Sequence, residues 1–290
     1  MDQSYKKLMS IKGVDELKRV VRKWQKLSDN IHKTGTERLN ILPDMLWVSD
    51  NGINKTELLS YMGDYLYSLD NLMSFSGDKR FIEFYLGYEE NGTFEEMKRF
   101  RYDLNNVRGF KNYYEGIVYV DISEWVRHLE DKRFIAFLEF LATNSDTWLI
   151  VLNINNDSPK KVTQVEGVIS TYLRIEKIRL NLPKNADLLD YAENILSDYG
   201  FTLTDGAKKL LMKSLAKMRM SKKFDGLNSV RYMCSDIIYT SLSNKSSNLF
   251  SLTAKDLEAF SADSDYVNRI IENYEKKHKV VGFLGGENND

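Results

Sequence analysis

Apolar residues along this chain recur with two different periods. Residues 10–33 place Val14, Leu17, Val20, Val21, Trp24 and Leu27 three and four apart, which predicts a helix. DMLWVSD (44–50) is short and apolar, lies between Pro43 and Asn51-Gly52, and reads as a buried strand. KTELLSYMGDYLYSL (55–69) returns to helical spacing. RFIEFYLGY (80–88) alternates and predicts a strand, and residues 93–108 predict a charged helix. GIVYVDI (116–122) is continuous, β-branched and opened by glycine, so it predicts a strand. EWVRHLEDKRFIAFLEFLATN (124–144) reads as one long helix and WLIVLNI (148–154) as another buried strand. Ser158-Pro159 offers an N-cap and a first-turn proline to a helix over 158–173. IEKIRLNL (175–182) alternates and stops at Pro183.

Five strands alternating with helices predict a mostly parallel sheet covered on both faces. Beyond Pro183 the pattern is helical only. Helices are expected over 187–200, 205–218 and 226–242, then a polar linker at 241–248 and one or two helices over 253–278. The boundary falls at 183–186. It divides an α/β domain (1–184) from a small all-helical domain (185–290) whose glycine-rich end, 280–290, is expected to be loose.

Composition narrows the class. The 290 residues are 42% hydrophobic and 29% charged, which is globular rather than disordered, and the formal net charge is −1. Whole-chain charge therefore favours no nucleic-acid partner. One cysteine, Cys234, cannot form an internal disulfide, which points to a reducing compartment. With no apolar signal core in MDQSYKKLMS and no apolar run near the ~20 residues of a membrane span, the chain is expected to be cytoplasmic with no membrane contact. His32, His128 and His278 stand apart from one another, without metal-ligand spacing.

The turn after the first strand carries candidate chemistry. A phosphate cradle needs a strand end, a glycine-rich turn and a helix N-terminus, with lysine reaching the outer phosphates and Ser/Thr holding magnesium. Here the run is Ser49-Asp50-Asn51-Gly52-Ile53-Asn54-Lys55-Thr56. Lys55 and Thr56 match the end of G-x-x-x-x-G-K-[ST]; Ser49 and Asn54 stand where the two glycines belong. Asn54 tolerates positive φ better than most residues, so the loop can form with phosphate partly obstructed. The same eight residues also suit an ordinary strand-turn-helix connection with a solvated lysine.

Across about 10–245 the order of motifs resembles the AAA+ ATPase family, and most closely its red-type rubisco-activase-like branch. Ile11-Lys12-Gly13-Val14-Asp15-Glu16-Leu17-Lys18 resembles the stretch before that family's nucleotide site, and Ser49–Thr56 lies where it carries its phosphate loop. GIVYVD (116–121) resembles its four apolar residues and aspartate, and WLIVLNIN (148–155) the strand ending in a polar sensor. TYLRIEKIRL (171–180) resembles the segment with a neighbour-reaching arginine, and Phe224–Arg231 the lid stretch F-x-N-A-R-x-V-R. The resemblance implies a P-loop NTPase sheet followed by a helical lid. It implies ATP or ADP with magnesium, bound by Ser49, Asn51, Gly52, Asn54, Lys55, Thr56, Asn153 and Arg231, with Thr56 and Asp121 on the metal.

Several family groups are altered. Asp121 fits the magnesium-side aspartate, but the water-orienting glutamate is replaced by Ile122, leaving Glu124 as a substitute or a plain surface charge. Asn153 and Asn155 share a face by alternation, so either fits the polar sensor. Arg174 is the candidate arginine finger toward a neighbouring subunit. Asn228 stands at the lid arginine's position, one turn from Arg231. The pattern implies kept architecture with weakened or lost hydrolysis. The first expectation is a nucleotide-binding module, homo-oligomeric or paired with an active homologue, that remodels or regulates a partner protein. The second is a nucleotide-free scaffold. The third is nucleic-acid handling, resting on the run 206–224, which has seven Lys/Arg and no acid. Tyr88 and Phe94 make no convincing aromatic pore loop, so threading is not expected.

Overall fold

A computed structural model describes residues 3–35, 41–76, 78–90, 114–156, 158–221, 224–244 and 250–263. The described residues fall into two compact units, one within Met1–Asp50 and Asn54–Asn181, the other within Asn51–Ile53 and Leu182–Asp290.

The first unit is an α/β layer structure. In chain order it runs α1 (Gln3–Ser10), α2 (Asp15–Thr34), β1 (Asp44–Ser49), α3 (Lys55–Leu69), β2 (Phe81–Tyr85), β3 (Gly116–Asp121), a short 3₁₀ turn (Ser123–Arg127), α4 (Lys132–Ala142), β4 (Trp148–Asn155), α5 (Pro159–Ile169) and β5 (Ile175–Leu180). All five strands pair in parallel, in the order β2-β3-β4-β1-β5. Every residue of β1 is buried, and β3 and β4 gain exposure only at their last residue. That burial explains why these strands are continuous apolar runs: water reaches neither face.

Alternation divides the strands' side chains between two faces. Leu46, Val48, Val118, Val120, Ile150, Leu152 and Ile154 point to one face, where Phe134, Phe137 and Leu138 of α4 and Val162, Val165 and Ile169 of α5 complete a core. The residues between them, Met45, Trp47, Ile117, Tyr119, Leu149 and Val151, are buried on the other face. There α2 contacts β5, and α3 contacts β2 and β3.

The structure differs locally from the sequence pattern. The helix expected over 10–33 starts at Asp15, behind a bend in which Gly13 takes φ +84°, and a separate α1 precedes the bend. The single helix expected over 124–144 is interrupted. The 3₁₀ turn ends at Arg127, and α4 begins afresh with Asp131 as N-cap, its carboxylate accepting from Arg133 N at 2.8 Å. The strand expected over 80–88 pairs only from Phe81 to Tyr85. The helix expected over 93–108 and most of 253–278 lie outside the described residues.

The second unit contains α6 (Asn185–Asp198), β6 (Thr202–Leu203), α7 (Asp205–Arg219), α8 (Gly226–Asn244), β7 (Ser251–Leu252) and α9 (Ala254–Asp263). Its core joins Leu188, Ala192 and Leu196 of α6 to Leu211, Leu215 and Met218 of α7 and Val230, Met233 and Ile237 of α8. The pattern beyond Pro183 shows no strand, whereas β6 and β7 make a two-residue parallel pairing. Two residues per strand are too few to produce a readable alternation. No described helix is long and apolar enough to cross a membrane.

Candidate functional site

The connection after β1 leads away toward β2, whereas the connection after β4 leads past β1 to β5. In open α/β sheets, adjacent strands whose connections diverge leave a crevice at their carboxyl ends, and ligands bind there. Ser49 ends β1 and Asn153 lies near the end of β4, one on each side of that point. Both are fully buried.

A hydrogen-bonded chain crosses the crevice within the first unit. Ser49 Oγ donates to Asn153 Oδ1 at 2.8 Å, and Asn153 Nδ2 donates to Asp121 Oδ2 at 2.9 Å. The same Asp121 oxygen lies 3.7 Å from Lys55 Nζ, while its Oδ1 accepts from Ser123 N at 3.0 Å. Register explains the meeting: Asp121 is the pairing partner of Asn153 across β3 and β4. Of the two asparagines that fit a polar sensor, Asn153 enters this chain. Asn155 is exposed, and its backbone N–H donates to Ser123 Oγ at 3.2 Å.

Lys55 and Thr56 open α3 beside these groups. Thr56 Oγ1 donates to Glu83 of β2, at 2.9 Å to one carboxylate oxygen and 3.2 Å to the other. Glu83 is a residue the sequence pattern passes over, because a glutamate in an alternating edge strand reads as a solvent-facing position. Tyr119 pairs in register with Glu83. Its side chain is buried, and burial, reinforced by the charges of Asp121 and Glu83 and by a hydrogen bond with Asp121, pushes its pKa up.

Asn54 takes φ −75° rather than a positive value. It serves as N-cap of α3, its Oδ1 accepting from Glu57 N at 3.2 Å and its Nδ2 donating to Glu57 Oε2 at 3.3 Å. One N-terminal donor of the helix is thereby satisfied by the chain itself. Asn51 and Gly52 lie in the turn that groups with the second unit, and Gly52 takes φ +83°, where a side chain would be strained.

The remaining predicted residues lie apart from the cluster. Glu124 turns to Tyr85 and Tyr88: its carboxylate accepts from Tyr88 N at 2.8 Å, and its hydrogen bond with Tyr85, with that N–H, lowers its pKa. The same contact raises Tyr85 to about 12. Ile122 is fully buried in the sheet core, so nothing polar follows Asp121 into the crevice. Arg174 is exposed at the opening of β5, at the other end of the strands, where its carbonyl accepts from Asp44 N at 2.9 Å.

In the second unit, Arg231 Nη2 donates to Tyr191 Oη at 3.3 Å and Asn228 Nδ2 donates to Asp225 at 3.2 Å. Two cations of the basic run are engaged there: Lys208 pairs with Glu193 at 3.0 Å, and Arg219 donates to the carbonyl of Pro183 at 2.9 Å. Among the described residues no group of three or more His, Cys, Asp and Glu side chains forms a protein-only metal site.

No protein-family model and no curated protein matches the chain. Similar solved structures include domain III of the replication initiation protein DnaA from Thermotoga maritima. Its TM-score is 0.49 at 10% identity, covering 91% of this chain and 98% of that one. The FIGL-1 AAA domain in complex with ADP gives 0.48 at 14% identity, covering 95% and 90%, and the same domain in a second structure gives 0.47 at 13% with the same coverage. With TM-scores below 0.5, none of these likenesses bears on what the chain does.

Proposed function

We propose that the first unit is an AAA+-like module that binds ATP or ADP through its phosphates at Lys55 and Thr56 and hydrolyses ATP weakly or not at all. The observation that carries this reading is the chain Ser49–Asn153–Asp121–Lys55 at the carboxyl ends of β1, β4 and β3. A lysine and a hydroxyl residue open a helix at the point of the sheet where ligands bind, facing a strand-end carboxylate held by two neighbours. The family reading is an analogy of fold and motif order, and the rubisco-activase-like branch rests on motif order alone.

The donor set suits magnesium. The Thr56 hydroxyl and the Asp121 and Glu83 carboxylates are hard oxygen ligands, able to hold the ion directly or through water. Magnesium bound with the nucleotide would neutralise phosphate charge. Weak hydrolysis follows from Ile122, which cannot orient water, and from Glu124, which is committed to Tyr85 and Tyr88. Loss of a positioned carboxylate typically removes ~10²–10⁴ in rate. Arg174, exposed at the far end of the sheet, suits a role toward a neighbouring subunit in a homo-oligomer or an assembly with an active homologue. Under this reading nucleotide state regulates a partner protein.

A second reading, a nucleotide-free scaffold, is favoured by one observation. Asn54 caps α3, Lys55 faces Asp121 and Thr56 bonds Glu83, so the chain already satisfies the groups that phosphate and metal would use. Comparing ATP, ADP and adenosine by equilibrium dialysis decides between the two. Affinity that rises with phosphate number supports the first reading. Adenosine binding as tightly as ADP places recognition outside the loop and overturns it, and no binding of any of the three leaves the scaffold.

A further inference from the structure

The second unit sorts the cations of the basic run 206–224 into two sets. Lys208 pairs with Glu193 of α6 at 3.0 Å, and Arg219 donates to the carbonyls of Pro183 and Leu182, so both tie α7 to its own unit. Lys209, Lys213 and Lys217 are instead exposed, and none of the three makes an ion pair with another described residue. Lys222 and Lys223 lie outside the described residues.

Helical residues four apart stand one above the other, so these three lysines form one row about 12 Å long. Like charges in that relation repel and weaken a helix. The acid of α7, Asp205, stands four residues before Lys209 in the first turn, where the helix dipole favours a carboxylate, and it does not pair with the row. The repulsion is therefore unrelieved within the described unit, and a row of anions would relieve it. We propose that Lys209, Lys213 and Lys217 form a docking stripe for the phosphate backbone of a DNA duplex.

Charge and side-chain chemistry select that partner. One strand of a duplex carries a phosphate about every 3.4 Å along the axis, so the row spans about three to four of them. A protein interface would want an apolar centre, and Lys is depleted in such interfaces. The long apolar side chains of α7, Leu210, Leu211, Met212, Leu215 and Met218, all pack in or against the unit's own core. Single-strand binding draws on aromatic platforms, and α7 has no aromatic residue. Lysines without a fork to read base edges give contact that is independent of sequence. The whole chain has a net charge of −1, so the attraction comes from the stripe and not from the molecule at large. This surface lies in the other unit from Lys55, and its role does not depend on nucleotide.

The test is fluorescence anisotropy of a short labelled DNA duplex titrated with the full chain at several salt concentrations. The stripe variant combines Lys209→Gln, Lys213→Gln and Lys217→Gln. A control combines Lys26→Gln, Lys132→Gln and Lys160→Gln, which removes the same charge from exposed positions on α2, α4 and α5. Thermal unfolding verifies that both fold. Three phosphate contacts predict a slope of about −2.7 for log affinity against log salt, or about fortyfold weaker binding from about 50 to about 200 mM. The control should keep the parent's slope. The stripe variant should bind at least about tenfold more weakly at about 50 mM salt and lose most of the slope. Equal weakening in the two folded variants would reduce the effect to general charge and overturn the stripe. Failure of the parent to bind duplex at low salt overturns the proposal outright. Binding of polyglutamate more tightly than duplex, lost in the stripe variant, also overturns it by making an acidic protein the partner.

Discussion

Asp44 opens β1 at the end of the sheet opposite the candidate site, and it is only 6% exposed. Its carboxylate accepts from Ile150 N at 2.9 Å. Burial pushes its pKa from 3.8 up to about 7, against the lowering effect of that N–H. Between about pH 4 and pH 7 the folded protein holds a proton that the unfolded chain has released, so folding stability falls as pH rises through this window. Above pH 7 the full cost of the buried charge is present. About three pKa units at ~1.36 kcal/mol each gives a cost of about 4 kcal/mol. Asp44→Asn keeps an acceptor for Ile150 N and removes the ionisation. The new amide N–H₂ group costs about 1–3 kcal/mol if it finds no acceptor, but equally at every pH. Urea denaturation of parent and variant from pH 4 to pH 8.5 is the assay. The variant's advantage should grow with pH by up to about 4 kcal/mol and level off above pH 7. A difference in stability that stays constant across that range would refute the reasoning.

Asn153→Ala removes the bridge between Ser49 and Asp121 and strands two polar groups, so chemical denaturation should report a loss of about 1–3 kcal/mol; an unchanged midpoint contradicts the bridging role. Asn54→Gly removes the α3 cap at a cost of a few tenths of a kcal/mol and frees the helix N-terminus. ADP titration of that variant should show tighter binding than the parent, and weaker binding would mean that Asn54 assists the phosphate. Cys234 is fully buried, and burial raises its thiol to about 12. It should resist a disulfide reagent until urea unfolds the chain, whereas fast modification of the folded protein would contradict this burial.

Continuous apolar runs such as Leu149–Leu152 betray buried parallel strands without any knowledge of partners. Interruptions are harder to read. Asp131 as an N-cap lies inside an otherwise good helical stretch, and Gly13 bends a segment whose flanks both keep helical spacing. The candidate lysine, threonine and aspartate are legible because a loop motif and a strand end are local signals. The contacts among them are not. Ser49 and Asn153 are 104 residues apart and meet only because β4 lies beside β1. Glu83 escapes the sequence pattern for the same reason, since its meaning comes from Thr56 on a different element. Asn54 stands where positive φ is expected, but its conformation follows from capping α3.

The most direct measurement is calorimetric titration of the purified chain with magnesium-ATP, beside Lys55→Ala. Lys55 faces the crevice 3.7 Å from Asp121, so the account predicts saturable binding by the parent and its loss in the variant. Equal binding by the two would place nucleotide recognition elsewhere and contradict the central claim.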